Sequence, residues 1–240
     1  MEKIKYLKRL PFESIKNARD LGGMPTLDGE ITSWSKFIRS ANLDDITDKD
    51  ISLLKDLNVS TIIDLRRDDE VYKNHKRLEK INENFSYHQV SLSPRAMRYE
   101  EIQRIIDKKD SIGKSYISII DNYKAIRKVF EILADNDKVT LFHCQEGKDR
   151  TGIISMVLYG LANVARSDII ADYEISSANL GYIERYDQDE KGSIFRVTNP
   201  YNMKEAISYI IRKYQSFESY LYYAKLDRNS IDKLKKKLIE

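Results

Sequence analysis

The chain is poor in the residues that build special frameworks. It holds one cysteine, Cys144, in 240 residues. A single cysteine excludes an internal disulfide and a cysteine-rich zinc site. Two roles are left for it, a small buried hydrophobe or a nucleophile. The three histidines, at 75, 88 and 143, lack metal-ligand spacing, so neither a metal nor another cofactor is expected. With only four prolines and nine glycines, much of the chain should be regular structure. No segment approaches the ~18 apolar residues of a membrane span, so no integral membrane association is expected. Charges interrupt the N-terminal segment Met1 to Leu10 every few residues, which leaves no apolar core for a secretory leader. The cytoplasm is the expected compartment, with secretion without a leader as the alternative. There is no excess of one charge either. The net charge is +3, with no dense basic stripe, so nucleic acid is not an expected partner.

What is present suits a globular enzyme. Hydrophobic residues make up 41% and charged residues 33%, enough for a sizeable core in one domain spanning 1–240. Residues 17–30 hold a glycine cluster that reads as consecutive turns, with Asp28-Gly29 a hairpin signal. Ile31 to Ser40 alternates as a strand. Thr47-Asp48-Lys49-Asp50 caps a helix running to about Leu57. The β-branched run Val59 to Leu65 reads as a buried strand. Ser86 to Leu92 and Val139 to His143 read as two more. Helical patterns lie near 99–109, 115–134, 150–165, 167–180, 201–214 and 229–239. Strands alternating with helices predict an α/β fold, with a mostly parallel central sheet and helices on both faces. In such sheets ligands bind outside the carboxyl ends of the strands. Cys144 follows one strand and Asp64 closes another, so both are expected on that edge.

The segment His143-Cys144-Gln145-Glu146-Gly147-Lys148-Asp149-Arg150-Thr151-Gly152 carries the chemistry. It joins a strand to a helix. Unpaired N–H groups at the helix start, together with its dipole, form an anion cradle. Gly147 gives the backbone conformations that a side chain would forbid. Arg150 offers a planar fork to two phosphate oxygens. The same positive field favours the thiolate of Cys144 as nucleophile. Cysteine and arginine at this spacing are weak alone, but here they sit between an apolar strand and an apolar helix. Competing readings are a rhodanese-like sulfurtransferase, whose loop is usually one residue shorter, and a non-catalytic phosphate-binding module.

His143-Cys144-x-x-Gly147-x-x-Arg150-Thr151 resembles the signature of the cysteine-based protein-tyrosine phosphatases. With Lys148 and Asp149 it is similar to a bacterial branch, tyrosine-specific or dual-specificity, that also acts on phosphoinositides. Asn17 to Gly23, Arg39-Ser40-Ala41, Ile62 to Arg66 and Asp172-Tyr173 extend the resemblance over nearly the whole chain. It departs at Ala18, where the family has an aromatic residue, a change expected at the floor or rim of the site.

The resemblance implies a tyrosine-phosphatase-like fold and hydrolysis of phosphotyrosine, with phosphoserine and phosphothreonine as further substrates, through a phosphocysteine on Cys144. Its partners would be phosphoproteins or phosphopeptides, with phosphoinositides as the alternative substrate and inorganic phosphate as product. Arg150 binds the phosphoryl group, and Gln145, Glu146, Gly147, Lys148 and Thr151 complete the phosphate site. Thr151 either donates its hydroxyl to the thiolate or is an ordinary first-turn residue. Asp149 is the leading general acid, against a helix-capping role, with Asp64 and then Asp20 behind it. His143 is expected to order the loop. Arg66, Arg19 and Arg39 are expected to form a supporting shell with Asp20 and Asp64, and Arg66 joins the site residues. Residues 94–135 form either a helical lid, with Arg95, Met97, Arg98 and Tyr99 facing substrate, or an ordinary amphipathic hairpin. The basic C-terminal stretch Lys233 to Ile239 reads as a solvated helix end.

Overall fold

A computed structural model describes residues 6–71, 75–93, 100, 102–103, 112–182 and 196–239. The elements are β1 (Arg19–Asp20), β2 (Phe37–Ser40), α1 (Asp48–Asp56), β3 (Val59–Asp64), α2 (Asp68–Val71), α3 (His75–Asn84) and β4 (Ser86–Gln89). Then follow α4 (Gly113–Ile120), α5 (Tyr123–Asp135), β5 (Val139–His143), α6 (Asp149–Leu161), α7 (Arg166–Asn179), α8 (Pro200–Tyr214), α9 (Phe217–Tyr223) and α10 (Arg228–Ile239).

The sheet runs β1-β2-β5-β3-β4, parallel except for β1, which pairs antiparallel with β2. The expected mostly parallel sheet is therefore present, closed at one edge by a short antiparallel strand. Successive side chains of a strand point to opposite faces, and the core follows that period. Phe37, Ile63 and Phe142 enter the cluster shared with α4 to α10. Their neighbours Ile38, Ile62 and Leu141 enter the cluster shared with α1 and α3. Helices thus cover both faces. Ser40 and Asp64 are both in register with His143, so β2, β3 and β5 end at one level. Cys144 begins its loop there.

Several local expectations are corrected. Only Phe37–Ser40 of the Ile31 to Ser40 stretch is a strand, while Ile31 forms an isolated bridge to Pro25 across the Asp28-Gly29 turn. The glycine-rich stretch includes β1. The 115–134 pattern is two helices, because Asn122 caps a new start by accepting from Ala125 N. The short α2, α3 and α9 lack a sequence signal, since their patterns are brief or dominated by charge. Ala18 is buried in the cluster shared with α1 and α3. The expected cap at Thr47 is present, and with Asp50 it forms a full capping box on α1. Most of 94–111, including Arg95, Met97, Arg98 and Tyr99, lies outside the described residues. Among the described residues no helix is long and apolar enough to cross a membrane.

Candidate active site

The loop after β5 is held open from outside. Its carbonyl oxygens are taken by donors from other elements. Asn42 reaches Gln145 O through its backbone N–H at 3.2 Å and its amide at 2.9 Å. Asn17 Nδ2 donates to Glu146 O at 3.0 Å and to Gly147 O at 3.1 Å. Arg39 Nη2 donates to Gly147 O at 2.7 Å and to Lys148 O at 3.4 Å. In a trans peptide the N–H points away from the C=O. Tying these carbonyls outward therefore turns the amides of the following residues the other way, as an anion cradle needs.

Gly147 is required for two separate reasons. Its φ is +66°, and a Cβ would lie 2.2 Å from Ser40 O. The loop passes directly against the end of β2, and only glycine allows that approach.

Behind the loop lies a buried charge cluster. Arg39 Nη1 meets Asp172 Oδ2 at 2.6 Å, and Arg19 Nε meets Asp172 Oδ1 at 2.9 Å. Burial alone would raise the Asp172 carboxyl, but the two guanidinium charges outweigh it and hold it well below the usual range. Arg19 and Arg39 thus pair with Asp172 on α7, not with Asp20 as expected. Asp20 instead accepts from Gly22 N at 2.7 Å and Ser35 N at 2.9 Å, which closes the glycine turn.

On the other side, Arg66 is bound by Asp64 and Asp44, at 2.8 Å and 2.9 Å. Asp64 Oδ2 also accepts from Tyr87 OH at 2.9 Å. Burial would raise Asp64, but His143 and Arg66 hold it low. An ionised, fully engaged carboxylate has no proton to give, so Asp64 does not suit the acid role. His143 Nε2 lies 3.6 Å from Asp64 Oδ2, and its Nδ1 lies 3.3 Å from Cys144 O. Its ring is fully buried, and burial lowers its pKa despite Asp64. A fully buried ring packed under the loop fits the ordering role.

Arg150, in the first turn of α6, forms a bidentate pair with Glu70 on α2, at 2.7 Å and 2.8 Å. Burial would weaken the Arg150 charge, but Glu70 more than offsets it and raises the pKa above the ordinary value. The fork is thereby set in one orientation beside the loop. Sequence reasoning misses Glu70. The one available signal is the acidic run Asp68-Asp69-Glu70 just past a strand end.

Lys148 is buried and surrounded. Its Nζ lies 3.2 Å from Arg196 O, 3.4 Å from Glu146 Oε2 and 3.7 Å from Asp149 Oδ2. Glu146 also accepts a hydrogen bond from Tyr182 OH. Gln145 Oε1 lies 3.5 Å from Arg66 Nη1. Asp149 begins α6 and accepts from Tyr116 OH, while Lys148 holds the N-cap position. Thr151 Oγ1 is buried with no hydrogen-bond partner, so it does not bond the Cys144 sulfur. Thr151 lies in the first turn of α6. Cys144 itself is 2% exposed. Among the described residues, no group of three or more His, Cys, Asp or Glu side chains is arranged to hold a metal ion.

A family model described as the tyrosine phosphatase family matches residues 10–240. The chain belongs to the tyrosine phosphatase family. A tyrosine-protein phosphatase of Nostoc commune is 35% identical over 147 residues, covering 60% of this chain and 49% of the relative. A Cupriavidus necator protein named as a putative tyrosine-protein phosphatase is 28% identical over 176 residues, covering 68% of this chain and 61% of its own length. The chain thus spans about half to three fifths of the curated relatives it matches. The core catalytic domain of the PP-IP phosphatase Siw14 of S. cerevisiae, solved with citrate, is 19% identical, with 69% of this chain and 89% of that one covered and a TM-score of 0.42. A cysteine-to-serine form of TpbA of P. aeruginosa, solved with pTyr, is 11% identical, with 80% and 87% covered and a TM-score of 0.37.

Proposed function

We propose that this chain hydrolyses phosphotyrosine through a phosphocysteine on Cys144. One observation carries the reading: donors from outside the loop hold its carbonyls outward between Cys144 and Arg150. The amide cradle and the Arg150 fork supply donors to the three non-bridging phosphoryl oxygens, whose charge must be balanced in the transition state. The Cys144 thiolate attacks phosphorus, an S–P bond forms, and the P–O bond to the leaving oxygen breaks. Asp149 gives that oxygen a proton. Water then attacks the phosphocysteine and gives a proton to the Asp149 carboxylate, which releases inorganic phosphate and restores the thiolate and the acid. His143, Asp64 and Arg66 support the loop from the side opposite the Arg39–Asp172 cluster.

The state of Lys148 favours phosphotyrosine over phosphoinositides. A second phosphate needs a cation facing outward, whereas the Lys148 charge is matched by Glu146 within its own loop. Glu146 adds a negative charge beside any further phosphate.

The test is a panel of phosphotyrosine, phosphoserine and phosphothreonine peptides and phosphatidylinositol phosphates, run on wild type and Cys144→Ser. Turnover of phosphotyrosine peptide by wild type, and its loss in Cys144→Ser, is expected. Faster turnover of the inositol lipids would reverse the substrate assignment. Full activity of Cys144→Ser would sink the mechanism.

A further inference from the structure

We propose that Tyr116 is a positioning residue for Asp149, acting as the last donor of a buried chain that assigns which Asp149 oxygen carries the transferred proton. The proposal rests on the reading of Asp149 as proton donor.

The chain begins at a backbone amide. Ile112 N donates to Asn202 Oδ1 at 3.0 Å. That bond sets the amide orientation of Asn202, because the oxygen must face Ile112. Its nitrogen then faces Tyr173, and Nδ2 donates to Tyr173 OH at 3.2 Å. Tyr173 OH and Tyr116 OH are 2.7 Å apart. A phenol has one proton to donate. Tyr173, accepting from Asn202, directs its own proton to Tyr116, and Tyr116 directs its proton to Asp149 Oδ1. The opposite direction would leave the buried Tyr173 proton facing the Asn202 donor. Donor counting therefore yields one direction, from α8 through α7 and α4 to the start of α6.

The consequence concerns the reacting proton. Tyr116, Tyr173 and Asn202 are each no more than 2% exposed, so water does not compete for these bonds. Oδ1 accepts from Tyr116 whether Asp149 is protonated or not. The proton that Asp149 gives must then ride on Oδ2. As the P–O bond breaks, that proton passes to the leaving oxygen and its electron pair stays on Oδ2. Tyr116 on Oδ1, and Lys148 Nζ at 3.7 Å from Oδ2, stabilise the carboxylate that results.

A purely structural tyrosine would affect all substrates alike. A residue that positions the acid matters most where the leaving oxygen needs a proton, as in phenyl phosphate, and least for p-nitrophenyl phosphate, whose leaving group departs as the anion. The experiment measures kcat/KM on both esters for wild type, Tyr116→Phe, Tyr173→Phe, Asp149→Asn and Tyr116→Phe/Asp149→Asn, with Cys144→Ser as control. Tyr116→Phe is expected to lose about tenfold on phenyl phosphate, a fraction of what a general acid contributes, and much less on p-nitrophenyl phosphate. Tyr173→Phe, one link further away, should show the same selectivity with a smaller loss. Adding Tyr116→Phe to Asp149→Asn should cost nothing more. Equal losses on the two esters, or losses that multiply in the double variant, overturn the proposal alone. An active Cys144→Ser overturns the phosphatase reading and this proposal with it. Asp149→Asn with no leaving-group dependence overturns the acid assignment and the proposal, and leaves Cys144 in place.

Discussion

Gly147 shows how much one residue can decide. Its positive φ and its contact with Ser40 O act together, and an added methyl would have to displace strand backbone rather than a flexible side chain. Gly147→Ala is therefore expected to destabilise the fold by about 1–3 kcal/mol and to abolish hydrolysis, because the cradle cannot keep its shape. Urea unfolding together with turnover of an aryl phosphate checks this. An active variant of unchanged stability would mean that the loop is softer than its contacts imply. Gly147 is legible in the sequence as the flexible point of the loop. The surface it presses against is not.

The helices act at the scale of whole elements, and α6 is the central one. Its first turn carries Asp149 and Arg150, while its far end is about 16 Å away at 1.5 Å per residue. Gly160 sits at that end, where a Cβ would lie 2.2 Å from the Phe217 ring of α9. Gly160→Ala forces the buried ring or α9 to move, at an expected cost of about 1–3 kcal/mol. Because the strain lies far from the loop, kcat should stay near the wild-type value while the urea midpoint falls. A fall in kcat without a fall in midpoint would contradict this separation. The C-terminal element behaves differently from its solvated reading. Ile231, Leu234 and Leu238 of α10 are buried in the core. Lys237 Nζ donates to the carbonyls of Leu133, Ala134 and Asn136, which satisfies the end of α5.

At the scale of the molecule, acid should weaken the fold in two stages. Burial, opposed by Asp64, lowers His143 below its ordinary value of 6.5. Below that pH the unfolded chain binds a proton that the folded one resists, so stability falls. Asp172 follows the carboxylate rule. The two arginines overcome burial and hold it below its ordinary value of 3.8, so its contribution is present above that pH and is lost as pH falls toward the lower folded value. Thermal unfolding followed from neutral pH downward should show a decline starting near 6.5 and a steeper one below 3.8. His143→Asn should reduce the first stage, leaving the part due to His88, whose pKa burial and Lys128 also lower. A midpoint that stays flat down to the carboxylate range contradicts the assignment.

The candidate loop was legible because its signature is contiguous: Cys144, Gly147 and Arg150 fall within one seven-residue segment, and the family resemblance rests on it together with its flanking residues. Local pattern was also enough for β3 and β5, because apolar runs and β-branching are properties of neighbouring residues. Pairing of charges over long distances was not legible. Arg150 and Glu70 are 80 residues apart, Arg19 and Asp172 are 153 apart, and Tyr116 and Asp149 are 33 apart. A carboxylate's sequence position says nothing of which guanidinium the strand order will bring to it. Crossing from β3 to β5 to β2 placed Asp64, His143 and Ser40 at one level. The packing of α4, α7 and α8 around the start of α6 then decided which groups face Asp149. The chemistry we propose rests on a contiguous loop, whereas the support of that loop is assembled from elements far apart in the chain, and only the folded arrangement specifies it.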